Sequence, residues 1–305
     1  MNNTMRLFFS ADFVYSIFRG MTPLLFAGMG AVLSDVAGVP NIALEGLMLI
    51  AAFAGMYFSY LTQSALIGLL GAVLIAVAFA GVLAFFTLYY KTSVILGGIA
   101  INSLASGGTI FFLYLLTGDK GTSISLSSKT LPTLNIPLIR DIPVLGAIVS
   151  GHNVLTYISI LAVIFTYFLL QKTAFGYHLR AVGEKKQAAE SVGISVGKVQ
   201  AAALLLSGLM CGLGGAFMSM GYVSWFSRDM VASRGWIALA AEAMGMQTPV
   251  GTALTCGLFG IADSFSNAVA TLGFPSDLVK TIPYVVTLAG LTVFSIRTYR
   301  KQRHR

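Results

Sequence analysis

Apolar runs long enough for an α-helix to cross a bilayer, about 20 residues each, recur along almost the whole 305-residue chain. They cover residues 17–33, 42–61, 66–89, 94–116, 154–170, 199–222, 236–246, 250–272 and 278–296. Lipid offers no partner to a backbone N–H or C=O, so runs of this kind must become helices that satisfy themselves. The pattern predicts an all-α, polytopic integral membrane protein of about eight or nine transmembrane helices. The run 236–246 is too short to cross comfortably and predicts a broken or re-entrant segment. A chain 56% hydrophobic and 10% charged is no ordinary soluble domain, so residues 1–305 read as one transmembrane unit.

Charge sets the orientation. Lys172, Arg180, Lys185, Lys186 and Lys198 cluster in the segment 172–198, and Arg297, Arg300, Lys301, Arg303 and Arg305 form a basic tail, 297–305. Excess Lys and Arg marks the cytoplasmic side, which puts both clusters inside and the Ser- and Thr-rich loop 118–153 outside. The net charge of +8 is then accounted for by segments facing anionic lipid, and no nucleic-acid partner is needed. The N-terminus has neither a basic n-region nor a small-residue cleavage site, so it reads as retained.

The two halves have a parallel layout. The first run leads through "SDVAGVP" into a polar-tipped segment and two long spans. The run 199–222 leads through "VSWFSRDMVASRG" into the short "WIALAAEAM", again followed by two long spans. On the orientation above the two sets start on opposite sides, as inverted repeats do, and interrupted segments at matching positions point to a transport path.

Few ionisable groups fall within the runs, among them Arg19, Glu45, Glu242 and Asp263, with Asn102 and Asn267 as uncharged companions. Such groups usually face a bundle interior or a cavity. Asn41 is placed to cap the helix that follows it, and Glu45 to gain from that helix's N-terminal dipole. Four residues apart, Asn41 and Glu45 also share one helix face and could brace a neighbour. Glu242 reads either as a helix–helix hydrogen bond or as part of the path. Asn102 and Asn267 read either as path-lining groups or as packing glue. A self-sufficient ion-coupled carrier would use Glu45, Glu242 and Asp263 as proton sites.

Catalytic readings find no support. There is no HExxH or GxxxxGK[ST] motif, and the GxSxG string at 193–197 lies in a polar segment between two apolar runs with no strand pattern before it; His152, His178 and His304 are isolated. Cys211 and Cys256 lie in apolar runs, where a free thiol behaves as a small hydrophobe. Gly208 and Gly212 form a GxxxG that predicts close helix packing.

The segment "FGYHLRAVGEKKQAAESVGISVGKVQ" predicts a short polar helix over 184–192 with Gly193 as its C-cap. Its "QAAESVG" matches the EAA-x-x-x-G signature of ATP-binding cassette importer permeases, with Gln187 at the usual Glu and without the later Ile-x-Leu-Pro. "TPLLFAGMGAVLSDVAGVPNIALEGLMLIAAFAG", "RGWIALAAEAMGMQTPVG" and "FPSDLVKTIPYVVTLAGL" resemble permeases for branched-chain amino acids, simple sugars and nucleosides. The nucleoside branch is the most similar. The resemblance implies a permease subunit in a bacterial cytoplasmic membrane that binds no cofactor itself, with ATP held by a separate ATPase. It also implies a second homologous permease and a substrate-binding lipoprotein. Gly176, Arg180, Gly183, Gln187, Ala188, Ala189 and Gly193 would form the loop that couples to the ATPase. Glu242 stands where the family usually has an apolar residue. Pentose, hexose or branched-chain amino acid import is the alternative within the family.

Overall fold

The computed structural model describes residues 11–135, 148–270, 281, 285–290 and 292. Helices α1 (Ala11–Val36), α2 (Leu44–Thr62), α3 (Ala65–Ala84) and α4 (Val94–Thr117) come first. They are followed by α5 (Val154–Lys172), α6 (Ala174–Glu184), α7 (Lys186–Ser191), α8 (Val196–Phe217), α9 (Arg234–Met244) and α10 (Pro249–Ala270). π-helical turns extend α3 through Phe85–Tyr89 and α8 through Met218–Tyr222. Polar caps fix several starts. Asn153 accepts from the N–H of Leu155 (3.0 Å) ahead of α5, and Thr173 accepts from Gly176 (3.1 Å) ahead of α6.

Helices α1 and α8 form the centre, and both are buried over most of their length. Small residues let α8 approach its neighbours. A Cβ on Gly208 would strike the Ala80 methyl of α3, one on Gly212 would come within 2.8 Å of the Val73 Cα, and one on Gly215 would strike the Met48 carbonyl of α2. The GxxxG is thus a packing face, as expected. α1 packs on α10, and α8 packs on both α1 and α3. Cys211 and Cys256 are both free and fully buried.

Tyr15 donates to the Gly151 carbonyl (3.0 Å), and Arg19 donates to the Tyr222 carbonyl with its guanidinium 4.3 Å from the Tyr222 ring. The start of α1, the start of α5 and the end of α8 therefore share one end of the bundle. His152 lies there, stacked on Tyr15 at 3.9 Å, and burial holds its imidazole below the usual range. A strap from the loop after α4 crosses this end. Ser123 donates its N–H to the Phe226 carbonyl (2.9 Å) and its Oγ accepts from the Phe226 N–H (2.8 Å), while Arg228 N–H donates to Gly121 (2.8 Å).

Six helices among the described residues are long and apolar enough to cross a membrane: α1, α2, α3 and α8 with their π-turns, α4 and α5. The expected eight or nine is matched only in part. α9 is eleven residues long, as the short run foretold. α10 has the length, but Thr252, Thr255, Asp263, Ser264 and Asn267 dilute its apolar character. Most of the run 278–296, the basic tail 297–305 and residues 136–147 of the outer loop lie outside the described residues. No strand occurs among the described residues, only the isolated bridges Thr122–Ser227 and Thr133–Asn153.

Candidate functional site

The helical path is interrupted twice, and both interruptions converge. After α1 the chain turns through Gly38, whose φ of +72° favours glycine. Asn41, fully buried, stitches this turn together. Its N–H donates to Ser34 Oγ (3.1 Å), its side-chain oxygen accepts from Ala43 N–H (2.9 Å), and its side-chain amide donates to Ser207 Oγ of α8 (2.9 Å). Asn102, midway along α4, completes the work. It accepts from Gly46 N–H (2.8 Å) and donates to the Ile42 carbonyl (2.9 Å). Backbone groups bared by the break have no water to turn to in lipid, so side chains take them. The capping expectation for Asn41 is corrected here. Ala43 occupies the N-cap position with no side-chain cap, and a neighbouring helix supplies the acceptor for Gly46.

The second interruption, between α8 and α9, passes through Asp229, Ala232 and Ser233, all at positive φ. Glu45 reaches across to it. One carboxylate oxygen accepts from Ser233 N–H (2.8 Å) and the other from Gly235 N–H (2.7 Å). Glu45 therefore serves the N-terminus of α9 as well as standing in the first turn of α2, a favourable place for negative charge on both counts. The approach requires glycine, since a Cβ on Gly235 would lie 2.5 Å from Glu45 N and 2.8 Å from its Oε2.

Beside this junction is a cavity of about 350 Å³. Glu45, Asn102, Ser103, Ser106 and Asp229 form its polar wall. Leu49, Ile99 and Trp236 supply its apolar surface. Of these, Glu45 and Asn102 stand out in the sequence as polar groups within apolar runs; Ser103, Ser106, Asp229 and Trp236 do not. The signal available is the run "SRDMVASRGW", a charged stretch ending in an aromatic residue between two apolar segments.

The other marked residues lie elsewhere. Asp263 pairs with Arg234 (3.2 Å), with both side chains largely buried. Glu242, 5% exposed at the far end of α9, meets Asp35 at the end of α1. Its Oε1 has no hydrogen-bond partner among the described residues, while Gln247 Nε2 donates to Asp35 (2.6 Å). Asn267 is exposed on α10 and does not line the cavity.

The short polar helix expected over 184–192 is α7, ended at Gly193 as expected, and a further helix, α6, precedes it in the same polar segment. Lys185 is extended (φ −152°) and breaks the run. Gly176 lies in the capped first turn of α6, and the Arg180 guanidinium lies 4.8 Å from the Tyr177 ring. Gly183 packs on the Val36 carbonyl and on Gly38 N, so α6 leans on the first interruption. Gln187 and Ala188 are exposed on α7, whereas Ala189 is 3% exposed. Gly193, at φ +84°, ends the segment with its N–H on the Glu190 carbonyl (2.9 Å). A second cavity, about 830 Å³, lies between α6, the end of α1 and the turn leading into α10.

A membrane helix bundle whose two interrupted segments are joined beside a polar cavity has an arrangement that transport proteins use. Residues 13–291 match the permease component of branched-chain amino acid transport systems, and the chain belongs to that family. It is 32% identical over 304 residues to the nucleoside ABC transporter permease protein NupC of Lactococcus lactis, covering 96% of this chain and 93% of the relative. To the guanosine ABC transporter permease protein NupQ of Bacillus subtilis it is 34% identical over 283 residues, covering 89% and 88%. A solved chain described as from a metal-chelate type ABC transporter, in an inward-facing conformation, shares the fold. Its TM-score is 0.55 at 15% identity, covering 97% of this chain and 88% of that one.

Proposed function

We propose that this chain is the membrane-spanning permease subunit of an ATP-driven importer that carries nucleosides into a bacterial cell. The similarity to nucleoside and guanosine permeases over nearly the full length carries the reading. The joined interruptions at Glu45 fit it, since a path through lipid needs irregular backbone that is satisfied internally. Of the three acids a proton-coupled carrier would use, Asp263 is held by Arg234 and both oxygens of Glu45 are committed to backbone amides, which leaves Glu242 alone with an unpartnered oxygen. The decisive measurement is ATP-dependent uptake of labelled guanosine by the reconstituted complex, with glucose and leucine as competing substrates. Uptake of either of these in place of guanosine would move the chain to a sister branch of the family.

Within this reading the segment 172–198 docks a cytoplasmic ATPase, and ATP stays on that partner. A lipoprotein delivers the substrate from outside, and a second homologous permease completes the path. The weakly covered α4, with only 22% of its apolar window buried and Ser103 and Gly107 exposed, supports the last point, because polar and small residues on such a helix favour a protein neighbour over lipid. The full chain crosses eight or nine times in two inverted repeats; α1 packing on α10 while α8 packs on α3 is the reciprocal exchange such repeats give. Both basic clusters then face the cytoplasm. Cysteines placed at Ser127 and Lys185, in a chain lacking Cys211 and Cys256, are expected to label oppositely with an impermeant thiol reagent applied from outside. Equal labelling of the two would reverse the orientation.

A further inference from the structure

We propose that the cavity beside Glu45 is where the permease holds the nucleoside in transit, with the base stacked on Trp236 and the ribose hydroxyls on Asp229. This rests on the nucleoside reading above and goes beyond it to a station on this chain.

Its size is the first argument. About 350 Å³ falls within the range of small-molecule sites, roughly 300–1,000 Å³. The second is which groups are free. Glu45 and Asn102 spend their side chains on backbone groups of the two interruptions, so they shape the cavity and leave recognition to others. Trp236 is 44% exposed, and its indole N–H has no partner among the described residues. Its backbone is anchored next to Gly235, whose amide is bound by Glu45. An aromatic face accepts any base, because every base offers a π-face.

Asp229 faces the same space. Ser106 Oγ donates to one of its oxygens (3.2 Å) and Arg228 pairs with the other (3.3 Å). Each carboxylate oxygen keeps a further lone pair, and carboxylates take ribose hydroxyls in this way at nucleotide sites. Ser103, exposed in the cavity wall with no partner among the described residues, adds a group that both donates and accepts. An aromatic residue and hydroxyl acceptors line the same space, the pair of features that a planar base joined to a sugar would use.

The test uses the complete complex of lipoprotein, both permeases and ATPase in proteoliposomes, with labelled guanosine and 2′-deoxyguanosine. Trp236→Ala is expected to lower guanosine uptake at least about tenfold, and Trp236→Phe, which keeps an aromatic face, to retain most of it. Asp229→Gly tolerates the left-handed backbone there and is expected to cut the guanosine-to-deoxyguanosine ratio about fivefold or more. The lipoprotein is the same in every arm, so a changed ratio belongs to this chain. That ratio compares two substrates in one protein, so it decides the matter even where Trp236→Ala assembles poorly. Normal uptake in Trp236→Ala or an unchanged ratio in Asp229→Gly overturns the site and leaves the nucleoside reading standing. No nucleoside uptake by the unmodified complex overturns both.

Discussion

Glu45→Ala is expected to all but abolish ATP-dependent uptake. The carboxylate is the acceptor for Ser233 N–H and Gly235 N–H at 2.8 and 2.7 Å, and α9 has no side-chain cap at its own N-cap residue. Removing Glu45 orphans both amides at a cost of roughly 1–3 kcal/mol each. The approach of α9 to α2 depends on that contact, so the loss falls on the junction between the two halves. Glu45→Gln separates this role from proton transfer. The amide keeps one acceptor oxygen but turns an NH2 toward the second N–H, so uptake is expected between the wild-type and Ala values. A carrier function would instead make Gln as inactive as Ala. The measurement is initial uptake rate per assembled complex, with the proton gradient dissipated, alongside the thermal midpoint of each variant.

Ala188→Arg is expected to have a comparable effect by another route. Ala188 is exposed on α7, so a large side chain there extends outward and leaves the helix intact. At Ala189, 3% exposed, an Arg would bury a charge and disturb α7 itself. For a loop that fits a cleft on the ATPase, Ala188→Arg should lower uptake at least about tenfold, the scale of a lost central interface contact, at normal membrane levels. Full ATP hydrolysis stimulated by the loaded lipoprotein in this variant would rule out docking at this face.

Most of the helical scaffold was legible because it follows from local rules. The apolar runs located α1 to α5 and α8, and the shortness of 236–246 located α9. What local rules could not supply was partnership. Glu45 in the first turn of α2 satisfies a dipole argument by itself, and nothing nearby in the chain announces an acceptor role toward residues 188 and 190 positions away. Arg234 and Asp263, 29 apart, are the same case on a smaller scale. The break at Lys185 was hidden because helix-forming residues flank it on both sides. Trp236 and Asp229 were hidden for a different reason: an aromatic residue beside an apolar run and a charge in a connector are ordinary until folding puts them against one space.

The contact of Gly183 with Val36 and Gly38 has a thermodynamic corollary. It joins α6 to the turn that Asn41 stitches and that leads on into Glu45 in the cavity wall. If nucleotide on the ATPase shifts α6, it shifts the free energy of whatever occupies the cavity, and reciprocity then demands the converse. Cargo in the cavity must change the affinity of this loop for its motor by the same factor. If the loop docks the ATPase and the cavity holds the cargo, as proposed, a glycine contact of this kind would make the permease a sensor as much as a conduit, able to report from within the membrane that it is loaded.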